Sequence, residues 1–105
     1  MLTMKSRIAL SYNVAERRRM LNLSQRELAA RADVSPRYIS RIEKAYCNIT
    51  LEYVDSLAEA LEVTAAELLD ATKVPEVSYR HMLLLDERQR GSRRSDAKPD
   101  EHSGN

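Results

Sequence analysis

The 105-residue sequence has few residues that break or cross-link a chain: two glycines, three prolines and one cysteine. It has neither tryptophan nor phenylalanine. The lone Cys47 excludes an internal disulfide and any zinc site built from several cysteines. No apolar run approaches the ~20 residues that span a bilayer, and the N-terminal stretch MLTMKSRIALSY has no continuous apolar core. We therefore expect no membrane helix and no signal peptide, and a cytoplasmic protein.

Net charge is also scarce, at +1, but this average hides an uneven distribution. Residues 1–48 hold ten basic and four acidic side chains, a balance of about +6. Residues 49–87 hold two basic and nine acidic side chains, about −7. Residues 88–105 hold five basic and three acidic side chains, about +2. Such opposed halves are typical of a protein with one face for an anionic partner, and the ordinary solvent faces of charged helices are the alternative.

The C-terminal segment 88–105 contains both glycines and no apolar residue larger than alanine. Because it cannot bury a core, we expect a disordered tail there. Residues 1–72 are expected to form one all-α domain, a compact five-helix bundle, and residues 73–87 a C-terminal extension. Apolar residues at helical spacing predict helices over 6–21, 25–32, 36–44, 51–61 and 65–71. The helix-start signals are Ser24 with Glu27, Ser35 with Pro36, Thr50, and Thr64 with Glu67.

A helix-turn-helix is predicted where only residues 33–35 separate the second and third helices, since so short a link forces a sharp crossing. The outward positions of the third helix carry Arg37, Ser40, Arg41 and Lys44. Arg37 and Arg41 are four residues apart and so share one face. An arginine can bind guanine O6 and N7 through two hydrogen bonds, which favours a role in reading DNA.

Three motifs carry a resemblance to a known family. They are the LSQ-x-ELA entry to the second helix, VS-x-x-YIS-x-IE in the third, and N-x-TLE-x-x-x-x-LA-x-AL in the fourth. Over residues 10–71 the chain resembles the Cro/C1-type (XRE family) helix-turn-helix domain. The resemblance implies a lambda-repressor-like bundle that binds double-stranded DNA.

The resemblance also implies a set of DNA contacts. The expected base-contacting residues are Gln25, Pro36, Arg37 and Arg41. The expected phosphate-backbone contacts are Ser24, Ser35, Ser40, Lys44, Asn48 and Arg18. Arg18 lies at a position that is commonly basic in the family. The alternative for the run Arg17–Arg19 is that it forms a solvent-exposed helix face without DNA contact.

The chain departs from the family pattern at several positions. Where the family favours glycine, this chain has Asn22, Asp33, Ala45 and Glu62. Asparagine and aspartate tolerate a left-handed backbone, whereas alanine and glutamate adopt it only at a cost. Arg17 stands where the family usually has leucine, so we expect altered packing of the first helix.

The extension contains five apolar residues that the bundle does not need: Val77, Met82, Leu83, Leu84 and Leu85. A small monomer seldom exposes such residues together. We expect a sixth helix or a short strand that pairs two subunits, with packing back onto the domain as the alternative.

These patterns together predict a transcriptional regulator that binds a near-palindromic operator as a homodimer, with RNA polymerase as a further partner if it activates. One alternative is an antitoxin whose segment 73–105 binds a toxin. Others are a restriction–modification controller and a scaffold that does not bind DNA. We expect no enzyme, cofactor or metal, because no catalytic triad pattern is present and His81 and His102 lack ligand-like spacing.

Overall fold

The computed structural model describes residues 3–45 and 49–95. Six α-helices and one 3-10 helix make up the described elements. They are α1 (Met4–Met20), α2 (Gln25–Ala32), α3 (Pro36–Glu43), α4 (Leu51–Leu61), α5 (Ala65–Leu68), the 3-10 helix (Ala71–Lys73) and α6 (Glu76–Ser95). The all-α prediction is confirmed. Within the described residues no helix is both long and apolar enough to cross a membrane.

The predicted capping residues begin the predicted helices. Ser24 accepts a hydrogen bond from the backbone N–H of Glu27, whose carboxylate accepts one from the Ser24 N–H in return. Thr64 and Glu67 form the same reciprocal pair at the start of α5. The bounds of α2 and α4 agree with the expectation, whereas α5 ends at Leu68 and gives way to the 3-10 helix. The caps therefore set the starts of helices more firmly than periodicity sets their ends.

The five helices α1 through α5 share one apolar core. Its fully buried members include Val14, Leu28, Ile39, Leu57 and Leu61. Each is 0–1% exposed, so truncating one of these side chains leaves a buried cavity. Leu51 continues the apolar spacing of α4, which predicts burial, but it lies in the first turn and is 64% exposed.

Polar side chains of α1 attach it to the second half of the domain. The amide of Asn13 is buried and donates to the carbonyl oxygens of Leu68 and Asp70, at 3.0 and 3.1 Å. Arg17 donates from Nε to the carbonyl of Leu61 at 2.9 Å, at the end of α4. Arg17 thus binds a helix C-terminus, where unpaired carbonyls need a partner, and this is the altered packing expected from its departure from leucine.

All four positions at which the family favours glycine adopt the left-handed backbone. The φ angles are 58° at Asn22, 60° at Asp33, 58° at Ala45 and 63° at Glu62. Asp33 and Glu62 are the residues that end α2 and α4. The family's turns are therefore kept without glycine, and Ala45 and Glu62 keep them at an energetic cost.

The extension forms a helix, so the strand alternative is wrong. This helix, α6, runs through Ser95 and therefore enters the segment from residue 88 in which a disordered tail was expected. Arginine and glutamine are good helix formers, and a helix propagates readily from a turn that is already formed. The remaining tail, 96–105, lies outside the described residues. The Sδ atom of Met82 approaches the buried hydroxyl of Ser11 to 3.9 Å, which places α6 against α1.

Candidate nucleic-acid interface

The turn between α2 and α3 is closed by backbone hydrogen bonds and a cap. Asp33 has a left-handed backbone, and the N–H of Val34 donates to the carbonyl of Ala29 at 3.0 Å. Ser35 accepts from the N–H of Tyr38 at 3.1 Å and so begins α3. Ala29 is 1% exposed, and its small side chain allows the two helices to approach closely. The predicted helix-turn-helix is present.

One face of α3 packs inward and the other is left to solvent. Ile39 and Ile42 are buried at 0% and 3% exposure. Pro36 and Arg37 are exposed in the first turn, and Arg41 is half-buried one turn further along. The half-buried Ser40 and the exposed Lys44, which ends the helix, complete this outward face. Its charged groups before Glu43 are all basic, as an edge that enters a DNA groove requires.

The two serines expected at the DNA backbone both cap helices. The Ser24 and Ser35 hydroxyls accept hydrogen bonds from backbone N–H groups of the first turns of α2 and α3. A helix N-terminus carries partial positive charge and N–H groups without intrahelical partners, which favours a phosphate. The structure thus assigns these serines a capping role beside two phosphate-attracting helix ends. Asn48, also expected at the backbone, lies outside the described residues.

Glu43 is the residue that sequence reasoning missed. Its Oε2 atom accepts from Arg18 Nε at 2.7 Å, and its Oε1 atom accepts from Arg18 Nη2 at 3.1 Å. The same Oε1 atom accepts from the Gln25 side-chain amide at 3.0 Å. One carboxylate therefore joins α1, α2 and α3. The available signal was the lone acid on an otherwise basic helix face.

This placement changes the reading of Arg18. Its side chain is 14% exposed and that of Glu43 is 8% exposed. A further donor, Nη1, binds the carbonyl of Leu23 at 2.8 Å. The hydrogen bond that Arg18 donates to Glu43 raises the pKa of Arg18 above its ordinary value. The Arg18 guanidinium is thus engaged by Glu43 and by the Leu23 carbonyl within the protein.

Two tyrosines extend the outer surface of α3 toward α4. The rings of Tyr38 and Tyr53 are tilted by 59° with centroids 5.2 Å apart, a favourable geometry for an aromatic pair. Tyr38 is half-buried against the core, whereas Tyr53 is 43% exposed. The pair stiffens the link between the first turns of α3 and α4.

The five apolar residues of the extension divide into two groups. Val77 and Leu84 are 75% and 56% exposed. Met82 and Leu85 are half-buried and line a groove against α1, and Leu83 is also half-buried. The half-buried residues agree with packing back onto the domain, whereas subunit pairing through the exposed ones stays a prediction. In the described part of the chain, no three His, Cys, Asp or Glu side chains are grouped to hold a metal ion.

A basic helix held at a sharp angle to a second helix, with capped N-termini beside it, defines a helix-turn-helix DNA-binding domain. Residues 14–68 match a family model described as Helix-turn-helix, which covers more than half of the chain. The chain belongs to this family, the Cro/C1-type helix-turn-helix proteins.

Individual relatives agree with this assignment. The chain is 38% identical over 53 residues to Control protein C.BamHI from Bacillus amyloliquefaciens. That alignment covers 50% of this chain and 65% of the relative, just under two thirds of its length. A hypothetical transcription factor from Neisseria, NHTF, has a similar structure with a TM-score of 0.61 at 35% identity, covering 62% of this chain and 73% of its own.

A second solved structure matches more of the chain. The clp gene regulator ClgR from Corynebacterium glutamicum has a TM-score of 0.59 and covers 88% of this chain and 89% of its own. Its identity is 24%, so it supports the fold alone. The longer coverage shows that a helical arrangement like this one extends beyond the family model's bounds.

Proposed function

We propose that the protein is a sequence-specific transcription regulator that inserts α3 into the major groove of an operator. The observation that supports this is the outward face of α3, whose charged groups before Glu43 are basic, on a helix that the Glu43 carboxylate joins to α1 and α2. Arg37 and Arg41 would read base edges, each good bidentate pair contributing about 1–3 kcal/mol of discrimination. Pro36 would contact bases from the first turn, beside Gln25.

Backbone contacts would set the register of α3 in the groove. The proposed contacts are Ser40, Lys44, Asn48 and the capped N-termini at Ser24 and Ser35. Arg18 is left out of this set, because its guanidinium is engaged by Glu43. We assign Arg18 a positioning role instead: through Glu43 it holds the Gln25 amide, and with it the start of α2.

The experiment begins with selection of binding sites from random DNA, followed by anisotropy titrations with the selected site. Arg37→Ala and Arg41→Ala should each weaken specific binding by about 1–3 kcal/mol and relax preference at the bases they contact. Arg31→Ala is the matched control, because Arg31 is exposed on α2 but turns toward Ala60 and Glu62 of the second half. Wild-type affinity and preference in both test variants would refute the assignment.

Salt dependence separates DNA binding from a scaffold role. Phosphate contacts release counterions, so the logarithm of the association constant should fall linearly with the logarithm of the salt concentration. Lys44→Gln should lower the slope by about one. A selected site that is bound without any salt dependence would contradict phosphate contact.

The protein would act as a homodimer through α6. Val77 and Leu84 are exposed, and the family's helix-turn-helix domains read two half-sites about one turn of DNA apart. Val77→Asp and Leu84→Asp should shift the mass measured by sedimentation to that of a monomer and weaken binding to a two-half-site operator. Met20→Asp is the control, since Met20 is a comparably exposed apolar residue on α1. A wild-type protein that is monomeric both free and on DNA would contradict the proposal.

A second candidate is the restriction–modification controller. It is favoured by the 38% identity to Control protein C.BamHI. The genes beside this one distinguish the candidates: a methyltransferase and endonuclease pair favours the controller, and their absence favours a regulator of other genes.

A further inference from the structure

A groove of about 550 Å³ lies between α1, the C-terminal end of α3 and α6. Its apolar wall is formed by Ala15, Met82 and Leu85, while Ser11 lies at its base. This volume is within the ~300–1,000 Å³ of small-molecule sites, which are mainly apolar with a few convergent polar groups. Among the proposed DNA contacts Lys44 borders this space, and among the proposed dimer residues Val77 does, whereas Arg37, Arg41 and Leu84 do not.

The polar groups of the groove favour an anion. Arg19, Lys44 and His81 line it, and all three are exposed. Its acid, Glu43, is already neutralised by Arg18. The Arg19 guanidinium has a loose contact to Glu16 at 3.9 Å, with both side chains largely in solvent, so it can turn to a ligand at little cost.

We infer that this groove binds a small amphipathic carboxylate. Its apolar chain lies along Met82 and Leu85, and its carboxylate accepts hydrogen bonds from Arg19 and Lys44. The apolar wall excludes a simple inorganic anion as the preferred ligand, and the basic rim excludes a cationic one. The groove's volume and basic rim suit a ligand of this size and charge, and a second copy of the chain in the groove is an outcome of the test below.

A consequence for regulation rests on the proposed function. Lys44 is a proposed phosphate contact, so a ligand carboxylate at Lys44 competes with the DNA backbone. Ligand binding also fixes α6 against α1. Occupancy of the groove therefore lowers operator affinity.

Decanoate, below its micelle concentration, is the probe for the site itself. Calorimetry and nuclear magnetic resonance on the full chain without DNA should show binding of decanoate, with shifts at Ser11, His81 and Leu85. Acetate and decyltrimethylammonium should bind much more weakly. Equal binding of acetate, or shifts scattered over the surface, would overturn the inference.

Two variants test the basic rim. Arg19→Gln should weaken decanoate binding about fivefold, as loss of one exposed charge pair predicts, while operator affinity of the unliganded protein stays unchanged. The matched control Arg31→Gln should leave decanoate affinity unaltered. No effect of Arg19→Gln on decanoate, or a changed oligomeric state in its place, would overturn the inference and would indicate a second copy in the groove.

The regulatory step has a separate readout. Saturating decanoate should lower wild-type affinity for the selected operator, and should do so less in Arg19→Gln at the same concentration. If the protein binds decanoate but no DNA, the proposed function fails while the site stands. If it binds DNA but not decanoate, only the site fails.

Discussion

The contacts that fix α3 in the domain differ in kind from those that fix α4. In α3 a buried ion pair and the Gln25 amide meet at Glu43, and the helix turns a basic face outward. In α4 the contact is mainly apolar, through Val54, Leu57 and Leu61, each at most 1% exposed. Apolar contacts are strong but non-directional, whereas hydrogen bonds to charged groups fix an orientation. Asn13 and Arg17 also donate hydrogen bonds to the second half, but these bind backbone carbonyls, whereas the contact at Glu43 joins charged side chains on the helix proposed to meet DNA.

Removing the carboxylate of Glu43 should have the largest effect among the contacts of α3. Glu43→Gln leaves the part-buried charge of Arg18 without its carboxylate partner, so we expect the free energy of unfolding to fall by about 2 kcal/mol. Chemical denaturation measures this change. The control is Glu16→Gln, which breaks an exposed 3.9 Å pair with Arg19 and should cost less than about 1 kcal/mol. Similar losses in both variants would contradict the difference between the halves.

A double variant tests whether Glu43 orients as well as stabilises. In Arg18→Met/Glu43→Met both charges are replaced by apolar groups, which should regain most of the lost stability. The Gln25 amide still lacks its partner, so operator affinity should stay below that of the wild type. Full recovery of affinity together with stability would show that the network has no positioning role.

Truncation in the apolar half should lower stability without changing DNA affinity per folded molecule. Leu57→Ala removes a side chain that is 1% exposed and should cost about 3 kcal/mol. Leu51→Ala, at a 64% exposed position of the same helix, should be close to neutral. If Leu57→Ala weakened operator binding under conditions where the protein is fully folded, α4 would also be positioning the interface.

Sequence patterns predicted the parts of this molecule that local rules decide. Caps at Ser24, Ser35 and Thr64 begin helices because a side-chain oxygen satisfies a nearby N–H, which needs no tertiary contact. The left-handed turn at Asp33 agrees with the tolerance of aspartate for this conformation, whereas at Glu62 residue type alone gave no reason to expect it. The outward position of Arg37 also followed, from helical spacing.

The parts that depend on tertiary contact were not predictable. Arg18 and Glu43 lie 25 positions apart, and no local signal distinguishes a solvated arginine from one that binds a carboxylate across two helices. Leu51 follows the apolar stripe of α4, yet its place in the first turn leaves it exposed. The length of α6 was missed because composition cannot show that a helix begun at Glu76 continues.

A smaller effect should follow at the turns. Ala45 follows α3 and has a φ of 58°. A Cβ atom in this left-handed conformation destabilises the fold by about 1–2 kcal/mol. Ala45→Gly should stabilise the protein by about 0.5–1 kcal/mol once the entropy of glycine is counted. Asp33→Gly should gain less, because aspartate tolerates this conformation. Thermal denaturation compares the two. Destabilisation by Ala45→Gly would show that its Cβ packing outweighs the strain.

The smallest effect concerns pH and lies in the acidic half. The Thr64 backbone N–H, 2.8 Å from the Glu67 carboxylate, and the Thr64 hydroxyl hold the pKa of Glu67 below its ordinary value of 4.5. A carboxylate with a lowered pKa stabilises the fold above its unfolded-state pKa, and this contribution is lost as pH falls through the folded-state pKa. The wild type should therefore exceed Glu67→Gln in unfolding free energy at neutral pH, and the gap should close in acid. A gap of equal size at both pH values would mean that Glu67 acts through hydrogen bonding that its amide replacement lacks at any pH, and not through its charge.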